Sequence, residues 1–265
     1  MPRLWNLPYQ RNPLFTGREE LLTQLYHRFQ ERVADPTLAL TGLGGIGKTQ
    51  VAVEYAYRHQ KDYRLILWLT ASSLGNAAGK GQFFVGFKSW LYHERNWLLV
   101  LDQIEDLSLI DLIVPPKRSG DHVLITTRAR ATGTYADVLP VEPMSTDAGA
   151  LFLLRRTGLL PAEATIDQAP AAEVSLAKAI AHKLDGLPLA LDQAGASLKE
   201  TRCGLATYQD LSPQEQTALL SQRGQMVDAC HPDSLGETIE QICQRLDPAS
   251  TGTAPSLCLL LPRRP

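Results

Sequence analysis

Residues 38–60 decide the fold, and they read LALTGLGGIGKTQVAVEYAYRHQ: a short apolar run, a glycine-rich loop and a stretch of helical character. Within them, Gly42 to Thr49 match the pattern G-x-x-x-x-G-K-[ST] at every fixed position. Glycines let the backbone curl so that successive N–H groups point inward, where they can hold phosphate oxygens. The helix that follows adds the positive end of its dipole. This stretch therefore predicts a phosphate-binding loop between a buried strand and a helix.

Two side chains of the loop and one acid further along the chain have the chemistry that a bound polyphosphate needs. The Lys48 ammonium can reach the β- and γ-phosphates as a point charge, and the Thr49 hydroxyl can ligate Mg²⁺. Residues 97–102 form an apolar run that ends in Asp102, which places this carboxylate at the carboxyl edge of a sheet, beside the loop. An aspartate at a strand end often only forms a turn. Next to a phosphate loop, it predicts a metal ligand together with Thr49.

The general base for water attack is less clearly indicated. If that base sits directly after Asp102, this chain lacks it, because Gln103 carries an amide. Glu105 or Asp106 would then have to serve, although such a pair more often lies in a solvated loop. We keep Glu105 as the candidate base.

A second apolar run delivers a cation to the same edge of the sheet. Residues 122–127 read HVLITT and are followed by Arg128. An arginine there can contact the terminal phosphate and so distinguish a triphosphate from a diphosphate. The alternatives are an ordinary surface arginine at this position, or Arg130 in the same role.

Composition narrows the class of protein and of partner. The chain has 265 residues, of which 44% are apolar and 20% charged, as in ordinary globular proteins. With 26 basic and 28 acidic residues the formal charge is -2, so general binding to nucleic acid or to a membrane surface is not expected. The longest apolar runs, near residues 65–69 and 257–261, are far short of a membrane span.

The cysteines and the start of the chain point to the cytoplasm. The N-terminus lacks the apolar region of a secretion signal. The cysteines have neither metal-ligand nor disulfide-framework spacing, so we expect reduced thiols. They are Cys203, Cys230, Cys243 and Cys258.

The apolar runs also predict the architecture of the first half. They are continuous rather than alternating, so both faces of the sheet should be covered by helices, which favours parallel strands. A helix is predicted over residues 16–33, with Thr16 and Glu19 in capping-box spacing. Residues 75–81 are predicted to form a flexible loop. The strand runs lie near residues 38–40, 65–69, 98–101, 123–126 and 138–141.

From about residue 143 the pattern becomes helical. Ser145 or Thr146 can cap a helix that ends at Gly158, Pro170 begins a second, and Pro188 begins a third from a first-turn position. The fold class predicted is therefore α/β, a P-loop type parallel sheet sandwiched by helices and followed by a small all-helical subdomain. The predicted divisions are a phosphate-loop domain over 1–142, a helical subdomain over 143–222, and a linker or tail over 223–265, poorly ordered at its end.

Five segments in this order resemble the NB-ARC class of STAND P-loop NTPases, in particular the bacterial signalling ATPases that carry repeat sensor domains. The resemblance covers about residues 12–245, and the segment GLPLAL is highly characteristic of the family's helical subdomain. The matching segments are the adenine-side motif Phe15 to Glu19, Walker A from Gly42 to Thr49, Walker B from Leu98 to Asp102, the sensor strand Thr126 to Arg128, and Gly186 to Leu191.

The resemblance implies an adenine nucleotide, ADP or ATP with Mg²⁺, as the ligand. It implies that Pro188 packs against the adenine, that the backbone around Phe15 to Gly17 brackets the base, and that Arg128 senses the γ-phosphate. It also implies a switch in which ADP holds a closed monomer, ATP opens a form that self-assembles, and slow hydrolysis resets the state. The candidate nucleotide-binding residues are Phe15, Gly17, Arg18, Gly42, Leu43, Gly44, Gly45, Ile46, Gly47, Lys48, Thr49, Gln50 and Pro188.

Three departures from the family's pattern limit what carries over. Gln103 replaces the second acid that many members have after the Walker B aspartate. The stretch between Lys48 and Asp102 is short, as though a helix had been lost around residues 75–81. We also expect the chain to stop before a winged-helix domain and a repeat sensor, and His231 is not in the family's ADP-contacting histidine motif.

Three functions remain open on the sequence. The first is a nucleotide-binding switch module with slow or absent hydrolysis. The second is an active P-loop ATPase or small-molecule kinase, and the third is a degenerate fragment that binds nothing. A GTPase is disfavoured because the chain contains no Asn-Lys-x-Asp guanine motif.

Overall fold

Six parallel strands form the central sheet of the computed structural model, which describes residues 2, 4–31, 37–71, 81–129 and 131–210. Their spatial order is β1-β3-β4-β5-β2-β6, and every pairing between neighbours is parallel. The carboxyl ends of all six strands therefore lie at one edge of the sheet. The strands are β1 (Leu4–Trp5), β2 (Thr37–Thr41), β3 (Leu65–Thr70), β4 (Trp97–Asp102), β5 (His122–Thr127) and β6 (Asp137–Pro140).

Helices cover both faces of this sheet, as the continuous apolar runs predict. Every residue of β3, β4 and β5 is buried, because successive side chains enter cores on opposite faces. One core packs under α1 and α2, and the other under α3 and α4. These helices are α1 (Glu19–Gln30), α2 (Lys48–Arg58), α3 (Gly81–His93) and α4 (Leu109–Ile113).

The second half of the described chain is helical. Ser145 is the N-cap of α5 and accepts a hydrogen bond from the N–H of Ala148, and Gly158 ends the helix in a left-handed conformation. Pro170 precedes α6, and Pro188 opens α7, as the sequence predicts. The elements are α5 (Thr146–Thr157), a short 3₁₀ helix (Ile166–Gln168), α6 (Ala171–Lys183), α7 (Pro188–Thr201) and α8 (Leu205–Asp210). In the part of the chain that the structure describes, no helix is long and apolar enough to span a membrane.

Two expectations about local structure are wrong. The capping box does not form: α1 begins at Glu19, and the Thr16 hydroxyl donates to the Leu14 carbonyl at 2.8 Å instead. The connection between β3 and β4 has not lost its helix, since α3 lies there. Phe84, Phe87 and Leu91 are buried, and their spacing on one helical face is the signal in the sequence that indicates this helix.

Other expectations fall on parts of the chain without a described structure. Most of the predicted loop over 75–81, Arg130, and the predicted linker or tail over 223–265 lie outside the described residues.

A tight backbone contact lies within the helical half, between the residues just before α5 and those just before α7. The Met144 N–H donates to the Gly186 carbonyl at 2.9 Å, and Gly186 has φ +62°. A Cβ at Gly186 would lie 2.1 Å from the Met144 carbonyl oxygen, on rigid backbone. Only glycine fits here.

Gly186→Ala is therefore expected to lower the free energy of unfolding by about 3 kcal/mol, from the clash and the strained φ together. Chemical denaturation of the full chain measures this change. Gly204→Ala is the matched control, because a Cβ there meets nothing within 4 Å, and it should change stability by less than about 0.5 kcal/mol. Equal losses in the two variants would show that the contact at Gly186 is not tight.

Candidate functional site

The loop between β2 and α2 depends on glycine at three positions. Gly42, Gly45 and Gly47 have φ values of +144°, +74° and +96°. A Cβ on Gly42 would approach the carbonyl oxygen of Val141 to 2.9 Å, and one on Gly45 would approach the Leu189 side chain to the same distance. Gly42 and Gly47, two fixed positions of the motif, together with Gly45 thus allow the curled backbone that the sequence predicts.

The Lys48 ammonium is folded over the loop that precedes it. Its Nζ donates to the carbonyls of Gly42 and Leu43, both at 2.8 Å. Burial lowers the pKa of Lys48, the Arg128 guanidinium lowers it further, and the Asp102 carboxylate opposes the shift. A cation at the start of α2 and one directly after β5 thus lie close enough to repel each other, which favours an anionic ligand between them.

Three hydroxyls hold the carboxylate of Asp102, which is fully buried at 0% exposure. Thr49 Oγ1 donates to Asp102 Oδ1 at 2.8 Å, and Thr126 Oγ1 donates to the same oxygen at 2.6 Å. The Tyr9 hydroxyl donates to Asp102 Oδ2 at 3.5 Å. Burial raises the pKa of Asp102, and these hydrogen bonds oppose the rise.

The chemistry of this set fits a Mg²⁺ ion. Mg²⁺ prefers hydroxyl and carboxylate oxygens and takes few ligands from the protein, with phosphates supplying others. Thr49 gives its proton to Asp102, so its oxygen lone pairs stay available to a cation. Thr49 and Asp102, the two predicted metal ligands, are therefore in direct contact.

The residues after Asp102 do not supply an obvious base. Gln103 is exposed, has φ +60°, and its N–H donates to Thr126 Oγ1 at 2.8 Å. Asp106 Oδ1 accepts hydrogen bonds from the N–H and the hydroxyl of Ser108, so this carboxylate is engaged within its own loop. Glu105 is an exposed side chain.

Arg18, a predicted nucleotide-binding residue, lies beside the glycine loop. Its guanidinium donates to the Glu142 carbonyl at 2.6 Å and to the Ile46 carbonyl at 3.4 Å. Burial lowers its pKa. Arg18 thereby connects the residues after β6 to the glycine loop.

The other predicted base-side residues lie in the N-terminal segment, which we define as residues 4–18. Asn12 in this segment donates from Nδ2 to the side-chain oxygen of Gln50 at 3.3 Å, and its carbonyl accepts the N–H of Phe15 at 3.2 Å. Gly17 has φ +70°, and a Cβ there would overlap the Ala148 side chain at 2.5 Å. The segment therefore contacts both α2 and α5.

The helical part contacts the loop directly. The Leu189 N–H donates to the Gly45 carbonyl at 3.2 Å. A Cβ on Gly47 would come within 3.9 Å of Pro188 Cγ. The structure thus brings Pro188 to the glycine loop, although these residues are far apart in the chain.

Sequence reasoning missed several residues of this site. Thr126 belongs to the sensor-strand motif, but the motif does not predict its contact with Asp102. Nothing in the sequence around Tyr9 predicts its approach to this site. Glu54 does carry one, since it is an acid on the apolar side of α2, where it is buried and accepts hydrogen bonds from Arg11 and Arg58.

Comparison with curated proteins finds relatives of this chain. No protein-family model matches the chain. A nucleotide-binding leucine-rich repeat-like protein of Hyaloscypha variabilis is 27% identical over an alignment that covers 82% of this chain and 25% of that protein. A disease resistance protein of Arabidopsis thaliana is 25% identical over 228 residues, or 74% of this chain and 24% of the relative.

This chain is similar to nucleotide-binding leucine-rich repeat-like and disease resistance proteins, which supports the NB-ARC class of STAND P-loop NTPases. It spans about a quarter of the length of the curated relatives that it matches. The resemblance to the bacterial members of the class stays a prediction.

Solved structures are also similar to this chain. A STAND protein with a tetratricopeptide repeat sensor from Pyrococcus horikoshii is 14% identical, covering 92% of this chain and 34% of that one, with a TM-score of 0.47. The Thermotoga maritima RuvB Holliday junction branch migration motor is 16% identical, covering 74% and 66%, with a TM-score of 0.47.

Asp102→Asn is expected to reduce ADP affinity in Mg²⁺ by tenfold or more and to change affinity in EDTA little, because it removes the charge that faces the metal. Calorimetric titration in the two buffers measures both values. Asp106→Asn is the control and should change neither. Equal losses in both buffers would contradict a metal role for Asp102.

Proposed function

We propose that this chain is a nucleotide-binding switch module that holds ADP or ATP with Mg²⁺. The contact between the glycine loop and α7 carries the proposal. Because Leu189 donates to Gly45, a nucleotide seated in the loop is touched from both halves of the described chain. Its occupancy can then bias how the two halves are arranged.

Different residues bind the phosphates, the metal ion and the adenine of the nucleotide. The backbone N–H groups of residues 42–49 and the Lys48 ammonium bind the phosphates, and Thr49 and Asp102 hold Mg²⁺, which neutralises phosphate charge. Pro188 and the backbone of residues 15–17 enclose the adenine. Arg128, whose charge already acts on Lys48, contacts the γ-phosphate and distinguishes ATP from ADP.

Hydrolysis by this module is slow. Water attack needs a base near the terminal phosphate, and an amide such as that of Gln103 cannot accept the proton. Glu105, the remaining candidate, lies in an exposed loop. We infer that the nucleotide state persists and serves as a signal, through nucleotide-dependent self-association in the cytoplasm. A degenerate, non-binding fragment is disfavoured by the intact loop geometry.

Chain purified without added ligand is expected to contain ADP, which chromatography of the acid-released nucleotide identifies. Adding Mg-ADP at about 100 times its dissociation constant to emptied chain should stabilise it by about 2.7 kcal/mol. Lys48→Ala should remove this stabilisation and leave the ligand-free melting temperature almost unchanged, because the Lys48 ammonium donates to carbonyls of its own loop. A wild type with neither bound nucleotide nor stabilisation would contradict the proposal.

Gln103→Glu is expected to raise steady-state phosphate release from ATP at least tenfold, because it places a carboxylate where the base is missing. A coupled phosphate assay gives the rate. Glu105→Gln should leave the slow wild-type rate unchanged. A fast wild type, slowed by Glu105→Gln, would support the active ATPase instead.

A further inference from the structure

The N-terminal segment is fixed on both sides of Tyr9. Before Tyr9, the Asn6 side chain accepts the Trp68 N–H at 2.8 Å and donates to the Trp68 carbonyl at 3.3 Å, as a neighbouring strand would. After it, the Arg11 guanidinium donates to the Glu54 carboxylate at 2.8 Å and 3.0 Å. Because Glu54 is only 2% exposed, this second contact reaches the buried side of α2.

Further contacts direct the ring of Tyr9 toward the site. The Tyr57 hydroxyl donates to the Tyr9 carbonyl at 3.0 Å. The ring meets Trp68 edge-on, with centroids 5.3 Å apart. The Tyr9 hydroxyl then lies 3.5 Å from Asp102 Oδ2.

The two oxygens of Asp102 are held differently. Oδ1 accepts two short hydrogen bonds, at 2.8 Å and 2.6 Å, from Thr49 and Thr126. Oδ2 faces the longer bond from Tyr9. The short bonds fix one oxygen, and the plane of the carboxylate is then set by what lies against the other.

We propose that Tyr9 is a positioning residue for the metal-binding carboxylate: its hydroxyl sets the plane of Asp102 and couples the N-terminal segment to Mg²⁺ at this site. The inference rests on the proposed binding of Mg²⁺ with an adenine nucleotide. A carboxylate held in one plane presents its lone pairs to the metal or to a metal-bound water in a fixed direction.

The coupling has a structural consequence. The segment that carries Tyr9 continues to residues 15–17, which are proposed to enclose the adenine. Mg²⁺ at Asp102 therefore stabilises the segment that also holds the base, so the metal and the base are linked through a single stretch of backbone.

The test compares Tyr9→Phe with Tyr92→Phe in the full chain. Each removes one hydroxyl and keeps the ring, but Tyr92 is an exposed residue of α3 whose ring packs on Arg118. Calorimetry gives the dissociation constant of ADP in Mg²⁺ and in EDTA. The EDTA value divided by the Mg²⁺ value reports the metal's contribution. Tyr9→Phe should reduce this ratio about three- to tenfold without changing affinity in EDTA, the size expected for one typical hydrogen bond, because the bond from Tyr9 is long. Tyr92→Phe should leave the ratio unchanged.

The outcomes separate this inference from the proposed function. A wild type that binds no ADP, or binds it equally in both buffers, would overturn both. A wild type with a clear ratio that Tyr9→Phe preserves, or a variant that loses affinity equally in both buffers, would overturn only the role of Tyr9. Repeating Tyr9→Phe in the Asp102→Asn background gives a second measurement. There the loss of the hydroxyl should change the ratio no further, and a continued effect would contradict the coupling.

Discussion

Leu189, in the first turn of α7, donates its N–H to the carbonyl of Gly45, and its side chain leaves no room for a Cβ at that glycine. This close approach ties the glycine loop to the helical part of the chain. The loop curls because its glycines permit positive φ, and α7 can lie against it because no side chain projects there. A ligand bound in the loop therefore lies close to α7 as well as to the sheet.

A network of charged side chains surrounds α2, the helix that follows this loop. Burial raises the pKa of Glu54, but hydrogen bonds from Arg11 and Arg58 outweigh it, so the pKa lies below its usual value. Arg58 also pairs with Glu19 at the start of α1, at 2.8 Å. A buried carboxylate left without its arginines would be strongly destabilising, so this network holds the N-terminal segment against α2. The candidate site thus lies between α7 and the N-terminal segment. A backbone hydrogen bond holds α7 against the glycine loop, and charged side chains hold the N-terminal segment against α2.

What the sequence predicts well is what local patterns encode. The continuous runs of β3, β4 and β5 predict the parallel sheet, and the glycine spacing predicts the loop. Pro188 predicts the start of α7. The approach of Tyr9 to Asp102 and the bonds of Arg18 to backbone carbonyls depend on tertiary placement, which no local pattern encodes. Thr16 fits a capping box by spacing alone, yet Arg155 donates to its hydroxyl at 2.8 Å from another helix, and such long-range partners override local propensity.

Hydrogen exchange followed by mass spectrometry, with and without Mg-ADP, tests most directly whether one ligand engages both halves of the chain. The account predicts slower exchange at the backbone amides of residues 42–49 and, in the same sample, at those of residues 186–192. Protection confined to the glycine loop, with the first turn of α7 exchanging as before, would contradict it.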